Sequence, residues 1–349
     1  RDLAGSPCGA DRDPQTRNHG GAARHPGGTD AGDYSHAEST APTLNMPRPS
    51  NAYASGGLDR KATQRGDAAW LAALRKAPET RLVPVWRNRT LVCGEEQLEA
   101  VWIPAKSPDV EDFGNPAEVW RFLGEWQGAN YFTLDLSHLD EPPWEEEGRF
   151  EDLRQVGLLL PETHGAICAY ARGLNHWHRH TQFCSTCGTA TCSTEAGHQR
   201  ACTNPDCGTP HFPRTDPAVI MLIHHGDQVV LGRQTQWPPG MHSILAGFVE
   251  PGESLENAVA REVMEEVGIE IETPEYHSSQ PWPFPASIML GFSAQARTTE
   301  LQVHLEELES ARWVSRSFLQ NSPEDETFRL PRKDSIARRL LEDWMAEQL

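Results

Sequence analysis

The sequence predicts an α/β (α+β) fold with several domains, and three observations lead to this prediction. Residues 214–349 alternate strand-like and helix-like segments, residues 58–180 combine short apolar strands with one long helical pattern, and residues 181–213 are rich in Cys, Thr and Gly. A chain of 349 residues is long enough for two or three buried cores. We therefore predict an N-terminal α+β domain at 58–180, a small cysteine-rich domain at 181–213 and a C-terminal domain at 214–349.

The elements of the C-terminal domain follow from hydrophobic periodicity. The unbroken apolar run Ala218–Ile223 has the length of a buried strand, and a short turn separates it from a second strand at Gln228–Leu231. Helical periodicity predicts a helix at Leu255–Val267 and a terminal helix at Asp334–Glu347, with a strand at Ser287–Ala296 between them.

The N-terminal domain is predicted to contain short strands followed by one helix. Five segments have strand composition, and the last two form a hairpin: Leu82–Trp86, Thr90–Cys93, Ala100–Ile103, Val119–Leu123 and Tyr131–Leu136. A helical pattern then runs from Glu162 to about His180. Residues 1–57 are polar and rich in Gly and Pro, and they cannot bury enough apolar surface to offset the entropy of ordering. We predict that this leader is disordered.

Charge and cysteine usage restrict the partners and the compartment. A net charge of −19 repels nucleic-acid backbones, so general nucleic-acid binding is disfavoured and an anionic substrate needs a local positive group such as a metal ion. No run of about 18 apolar residues is present, so no membrane span is expected. Four of the eight cysteines have metal-ligand spacing and four are scattered, which is typical of the cytoplasm.

Three carboxylates share one side of the predicted helix Leu255–Val267. Glu266 lies about 40° around the helix from Glu262, and Glu265 lies about 60° in the other direction. Like charges at these spacings cost a few tenths of a kcal/mol each, and a divalent cation would remove the conflict. The alternative is a solvated acidic helix face, which is the more frequent explanation of such a patch taken by itself.

The complete segment Gly247–Ile269, GFVEPGESLENAVAREVMEEVGI, resembles the Nudix box with every fixed position filled. The resemblance implies an α/β/α sandwich in which the box forms a loop, a helix and a loop. It implies that Arg261 orients the glutamates and that Glu253 supports the loop. It also implies four ligands for Mg2+ or Mn2+: Ala246 through its backbone carbonyl, Glu262, Glu265 and Glu266.

A proline-rich segment bears on the substrate. Ser279–Ser287 reads SQPWPFPAS, in which three prolines stiffen the backbone and hold Trp282 and Phe284 where they can present ring faces to a flat base. The alternative is a loop whose aromatic rings fill the core.

This segment, placed after a Nudix box, resembles the signature of the NADH pyrophosphatase family. The resemblance implies that eight residues line the dinucleotide site: Gln280, Pro281, Trp282, Pro283, Phe284, Pro285, Ala286 and Ser287. It also implies substrate contacts from Phe248, from Phe212 where many members carry Tyr, from Arg154 and from Ala337. The segment Leu305–Trp313 resembles the part of the family that supplies one more metal-binding glutamate. Glu307 is the best match, with Glu306 and Glu309 as competitors.

Four cysteines are spaced as two zinc knuckles. Cys184-x2-Cys187 and Cys202-x4-Cys207 are separated by fourteen residues, and Gly follows each knuckle. Four thiolates leave no open position on Zn2+, so the predicted zinc site is structural, with a redox CxxC pair as the alternative. The nearby histidines are assigned as polar helix residues in preference to metal ligands: His176, His178 and His180.

The family resemblance implies metal-dependent hydrolysis of the pyrophosphate of NADH or NAD+, giving NMNH or NMN and AMP. Removal of NAD caps from RNA ranks second because the chain is acidic. The N-terminal domain, a Nudix-like domain without a box, is expected to be non-catalytic and to help form a homodimer. Two alternatives stay open: a hydrolase of another dinucleotide such as ADP-ribose or diadenosine polyphosphate, and a non-catalytic nucleotide sensor. Erosion of the glutamates, which the sensor predicts, is absent.

Overall fold

The computed structural model describes residues 51–54, 57–114, 116–347 and 349. The predicted disorder of residues 1–50 lies outside these ranges. Asn51 and Tyr53 are buried, so the prediction of a disordered leader is wrong for residues 51–54. The reason is a tertiary contact, since Tyr53 packs in the core of the N-terminal domain and Asn51 Nδ2 donates to the carbonyl of Ser279 at 2.7 Å.

Three sheets organise the described residues. The described N-terminal domain has seven strands and four α-helices: α1 (Ala68–Lys76), β1 (Thr80–Trp86), β2 (Arg89–Cys93), β3 (Glu99–Ala100), β4 (Ile103–Pro104), α2 (Pro116–Val119), β5 (Trp120–Trp126), β6 (Ala129–Asp135), β7 (Arg149–Asp152), α3 (Leu153–Val156) and α4 (Glu162–His180). The cysteine-rich domain has three strands: β8 (Thr191–Thr194), β9 (Gln199–Cys202) and β10 (Pro210–His211). The C-terminal domain has the remaining elements: β11 (Asp216–His225), β12 (Gln228–Arg233), β13 (Leu245–Phe248), α5 (Leu255–Val267), β14 (Glu275–Trp282), β15 (Ser287–Gln295), β16 (Ser310–Ser315), α6 (Arg316–Gln320) and α7 (Ile336–Met345).

The C-terminal sheet is covered by helices on both faces. Its strand order is β14-β15-β11-β12-β16, with β13 paired to β11 and with β11 parallel to β15. Met221 packs in a core with α5, whereas its neighbour Leu222 packs in a second core with α7. Burial of both faces explains the unbroken apolar run in β11. The predicted α/β/α sandwich is confirmed.

Local signals fix both ends of α5. The Ser254 hydroxyl accepts from the backbone N–H of Asn257 at 3.2 Å, and Gly268 ends the helix in the left-handed conformation with φ 69°. The predicted helix Leu255–Val267 is therefore confirmed.

Three elements differ from the prediction. The predicted strand Ala100–Ile103 is two strands, because β3 pairs with β2 whereas β4 pairs with β1. The terminal helix is shorter than predicted, since Ser335 caps it and Asp334 is buried before it. The proline-rich segment begins inside β14, an edge strand, where a proline costs no ladder hydrogen bond. No described helix is long and apolar enough to cross a membrane.

Candidate active site

Three carboxylates meet at the inner side of α5. Ligand oxygens of Glu262, Glu266 and Glu307 all lie within 4.8 Å of one another, although Glu307 comes from the loop before β16. Of the two competitors for this position, Glu309 instead pairs with Arg233 at 3.0 Å. We call Glu262, Glu266 and Glu307 the acidic cluster.

Glu266 is the most buried carboxylate of the acidic cluster, with 4% of the residue exposed. Its Oε2 atom is buried and has no hydrogen-bond partner among the described residues. Burial, followed by the charges of Glu262 and Glu307, raises the pKa of Glu266 to about 8. An unpaired buried carboxylate is costly, and hard divalent cations take carboxylate oxygens. The cluster therefore fits a divalent metal ion.

Arg261 of α5 connects this helix by hydrogen bonds to the preceding loop, which contains Glu253. Its Nε and Nη2 donate to Glu253 at 2.7 and 3.0 Å, and its Nη1 donates to Glu262 at 2.9 Å and to Glu265 at 2.8 Å. Its Nη2 also donates to the carbonyl of Phe248 at 2.9 Å. The pairing with Arg261 lowers the pKa of Glu253. The Glu265 side chain is 52% exposed and lies outside the acidic cluster, so the structure does not bring all three helix glutamates into one ligand group.

Position 247 requires glycine because the backbone there lies very close to the Glu262 side chain. A Cβ atom on Gly247 would lie 1.9 Å from the carboxyl carbon of Glu262. Strand β13 therefore passes directly against the acidic cluster, and it carries the Ala246 carbonyl in the same stretch. This contact gives a physical reason for the glycine that opens the box.

A cavity of about 220 Å³ adjoins the acidic cluster, and Glu266 is part of its wall. Five predicted site residues line it: Ala246, Glu266, Gln280, Trp282 and Ala337. The sequence analysis did not predict the other lining residues, among them Gln234, Trp237, Met241, Leu308 and Arg332. Three of these residues, Gln234, Trp237 and Met241, lie in the stretch between β12 and β13, whose tryptophan and two prolines were the available signal. The cavity is largely apolar with polar groups at a few points, as sites for flat rings usually are.

Gln280 contributes structure to this cavity. Its Nε2 donates to the carbonyl of Asp334 at 2.6 Å and to that of Ala52 at 3.2 Å, and its Oε1 accepts from the N–H of Ile336 at 2.8 Å. Because three backbone groups occupy this amide, Gln280 positions the start of α7 and residues 51–54.

Phe284 does not line the cavity. It is 9% exposed and packs in the core of the N-terminal domain, with the guanidinium groups of Arg154 and Arg172 at 4.9 and 4.8 Å from its ring centre. The core-filling alternative therefore describes Phe284. Trp282 lines the cavity and contacts Phe284 edge to face at 5.0 Å, so it connects the cavity to that core.

The remaining predicted contacts lie outside the cavity. Phe212 and Phe248 are 63% and 60% exposed. Pro281 and Ser287 pair with their neighbours in β14 and β15. The carbonyl of Pro283 accepts from Arg172 at 2.9 Å. Two other residues of the segment are likewise absent from the cavity wall: Pro285 and Ala286.

The four predicted zinc ligands come together beside the three-stranded sheet. The sulfurs of Cys184, Cys187, Cys202 and Cys207 all lie within 4.8 Å of one another, with Sγ–Sγ distances of 3.8 Å and 3.4 Å for the pairs 184/207 and 187/202. A tetrahedron with metal–sulfur bonds of about 2.3 Å has edges of about 3.8 Å, so the cluster fits a zinc ion. Among the described residues this group contains no histidine.

Family comparisons agree with both halves of this architecture. The NUDIX domain model matches residues 214–335, and the model of the NADH pyrophosphatase-like rudimentary NUDIX domain matches residues 79–177. The fold and the acidic helix thus define the class of Nudix hydrolases.

Curated relatives cover most of the chain. It is 34% identical over 334 residues to the NAD-capped RNA hydrolase NUDT12 of Macaca fascicularis, covering 82% of this chain and 72% of that protein. It is 36% identical over 304 residues to the NAD-capped RNA hydrolase NudC of Mycobacterium bovis (strain BCG / Pasteur 1173P2), covering 83% and 93%. It is 40% identical over 227 residues to the NudC of Stutzerimonas stutzeri (strain A1501), covering 65% and 78%. The chain belongs to the NADH pyrophosphatase family of Nudix hydrolases, which includes these NAD-capped RNA hydrolases.

Proposed function

We propose that this protein hydrolyses the pyrophosphate of NADH or NAD+ to NMNH or NMN and AMP, and that it removes NAD caps from RNA. The observation that carries the proposal is the position of Glu266, which belongs both to the acidic cluster and to the wall of the largely apolar cavity. A dinucleotide with a ring in the cavity then has its pyrophosphate near the carboxylates.

The residues have separate roles in this mechanism. Glu262, Glu266, Glu307 and the Ala246 carbonyl would hold Mg2+ or Mn2+. When bound, such ions neutralise phosphate oxygens and lower the pKa of a bound water. Arg261 keeps the helix glutamates in place. Glu265, which lies beside the cluster and is half exposed, is the proposed base that accepts the proton of the attacking water.

The substrate side is built from aromatic and apolar walls. Trp282 and Trp237 line the cavity and offer indole rings to a nicotinamide or an adenine. Arg332 lies on the same wall, where a guanidinium suits an anionic substrate.

The proposal includes a structural Zn2+ on the four cysteines and a homodimer in the cytoplasm. Support for the zinc comes from the sulfur geometry. In the proposed dimer, the second protomer would cover the exposed rings of Phe212 and Phe248. There the two rings would also contact a substrate. The proposed domains are a leader at 1–57 and three folded domains at 58–180, 181–213 and 214–349. Residues 51–54 of the leader pack against the folded domains.

Product analysis by liquid chromatography and mass spectrometry tests the proposal. The purified chain is incubated with NADH, NAD+, NAD-capped RNA, ADP-ribose and diadenosine tetraphosphate, each with and without Mg2+ or Mn2+. We expect metal-dependent AMP with NMNH or NMN from NADH and NAD+, fastest for NADH, and NMN with a 5′-monophosphate RNA from the NAD-capped RNA. The double variant Glu265→Gln, Glu266→Gln should abolish turnover, whereas Glu256→Gln, an exposed position on the same helix, should retain it.

Other outcomes assign the protein differently. Faster cleavage of ADP-ribose or diadenosine tetraphosphate would keep the chemistry and reject the NADH assignment. Binding of NADH without turnover by the folded, zinc-containing chain would favour a nucleotide sensor.

A further inference from the structure

A second cavity lies between the N-terminal domain and the cysteine-rich domain. Its volume is about 580 Å³, and it is lined by arginines from three elements: Arg121 of β5, Arg179 of α4 and Arg200 of β9. Asp135 is a carboxylate of the same wall. Such a concentration of cations stands out in a chain with a net charge of −19.

The three guanidinium groups have fewer carboxylate partners than positive charges. Arg179 Nη1 donates to both oxygens of Asp135 at 3.1 and 3.2 Å. Arg200 donates to the hydroxyl and the carbonyl of Thr191 and to Nδ1 of His178, and none of its described partners is a carboxylate. Burial lowers the pKa of His178 to about 2, so this histidine adds no charge of its own at neutral pH.

Arg121 is the most constrained of the three. It is 7% exposed, its Nη1 donates to Asn175 Oδ1 at 2.9 Å, and its buried Nε has no hydrogen-bond partner among the described residues. Burial, together with repulsion from Arg200 and Arg179, lowers the pKa of Arg121 to about 10 in spite of the attraction of Asp135 and Glu118. The arrangement is the opposite in charge of the acidic cluster: buried Arg121 and half-buried Arg179 and Arg200 have too few counter-charges, which suits an anion.

One wall of the cavity is aromatic and open. Phe183 belongs to this wall and is 66% exposed, which leaves its ring face free to stack on a base. The volume is in the range of small-molecule sites, and guanidinium groups match phosphate oxygens in geometry. We propose that this cavity is a second ligand site that binds the phosphate group of a nucleotide, with Phe183 stacking on the base. The phosphate can belong to a free nucleotide or to an RNA chain, and the site does not depend on the reaction proposed above.

Calorimetric titration without added Mg2+ or Mn2+ tests the site, with inorganic phosphate, AMP and a short 5′-phosphorylated oligoadenylate as separate probes. Arg179→Gln should weaken all three probes about tenfold, because it removes a charged hydrogen-bond donor. Phe183→Ala should weaken the binding of AMP and of the oligonucleotide about tenfold and leave the binding of inorganic phosphate unchanged, since stacking acts on the base.

The matched controls are Arg297→Gln, at an exposed arginine of the C-terminal domain, and Tyr276→Ala, at an exposed aromatic residue of the same domain. Neither should change any affinity. Equal zinc content and circular dichroism verify the fold of each variant.

Comparison of the probes identifies the source of the phosphate. An oligonucleotide that binds at least about tenfold more tightly than AMP, with an affinity that falls steeply with salt, assigns the site to RNA. Equal affinities assign it to a free nucleotide. Wild-type affinity of both Arg179→Gln and Phe183→Ala for every probe overturns the proposal, as does an absence of phosphate binding by the wild-type chain.

Discussion

The N-terminal and C-terminal domains share a common arrangement of six strands, to which the N-terminal sheet adds β3, and they differ in the segment that carries the acidic helix. The N-terminal order β5-β6-β1-β2-β7, with β4 on β1, corresponds strand by strand to β14-β15-β11-β12-β16 with β13 on β11. In both sheets the two central strands that are distant in sequence pair in parallel: β1 with β6 and β11 with β15. Each sheet also has a terminal helix packed on it, α4 in one and α7 in the other.

The difference lies in the segment that connects β13 to β14 and in the corresponding segment that connects β4 to β5. The C-terminal domain places the 13-residue α5 there, with its glutamates and both caps. In the N-terminal domain the described residues at this place form a 3-10 turn at Pro108–Phe113 and the four-residue α2. Four residues make about one helical turn, which is too short to align carboxylates at i and i+4. The common sheet is therefore a support, and the hydrolytic chemistry resides in the inserted helix.

The largest expected effect tests how separate the two domains are. Phe284→Ala should lower the free energy of unfolding by about 3–5 kcal/mol. Phe284 belongs to the C-terminal domain, but removal of its buried ring leaves a cavity in the N-terminal core. Chemical denaturation measures this value. Tyr276→Ala, an exposed ring on β14, should change it by less than about 1 kcal/mol. A small effect of Phe284→Ala would mean that the two cores are independent.

The second prediction concerns the charge that α5 buries. Below about pH 4.5 Glu266 is protonated in both states, but up to about pH 8 the folded protein keeps a proton that the unfolded chain has lost. Stability of the protein without added Mg2+ or Mn2+ should therefore fall as pH rises through this window. Glu266→Gln should be more stable than wild type by a few kcal/mol at about pH 9, with little difference at about pH 5. Denaturation curves at the two pH values measure this, with Glu256→Gln as the control. A difference that is the same at both pH values would contradict the burial of charge at Glu266.

The third prediction sharpens the link between β13 and the inserted helix. Gly247→Ala should lower kcat/KM for NADH at least about a hundredfold and weaken Mn2+ binding, because the added methyl group displaces the Glu262 carboxylate. Steady-state kinetics and calorimetric Mn2+ titration measure both effects. Gly173→Ala, a helical glycine of the N-terminal domain whose nearest new contact is 3.7 Å away, should leave both values unchanged. Full activity of Gly247→Ala would refute the close approach.

The smallest expected effect concerns residues 51–54, which join the domains. The Tyr53 hydroxyl donates to Asp334 at 3.0 Å, and Arg332 also donates to this carboxylate through Nε and Nη2, both at 3.0 Å. Tyr53→Phe should cost about 1 kcal/mol of stability, because Arg332 still satisfies Asp334. It should also raise the KM for NADH slightly and leave kcat unchanged, since Arg332 lines the cavity. A large fall in kcat would place Tyr53 closer to the reaction than the structure does.

Local signals explain what the sequence could predict. The ends of α5, the pairing of Glu262 with Glu266 and the zinc knuckles depend on spacings within one segment, and the structure shows each of these geometries. The position of Phe284 could not be read in this way, because it depends on a core formed by residues far away in the sequence. Arg332 and Trp237 reach the cavity only after the fold brings distant loops together, so the sequence alone did not assign either of them to the site.

The burial of Phe284 in the N-terminal core has a consequence for biosynthesis. A ribosome completes residues 58–180 long before residue 284, and domains generally begin to fold in that order. Until Phe284 is synthesised, the N-terminal core lacks this ring, and Arg154 and Arg172 lack the aromatic partner that both contact in the finished structure. The core of the first domain to be synthesised is thus completed only when the C-terminal domain supplies Phe284.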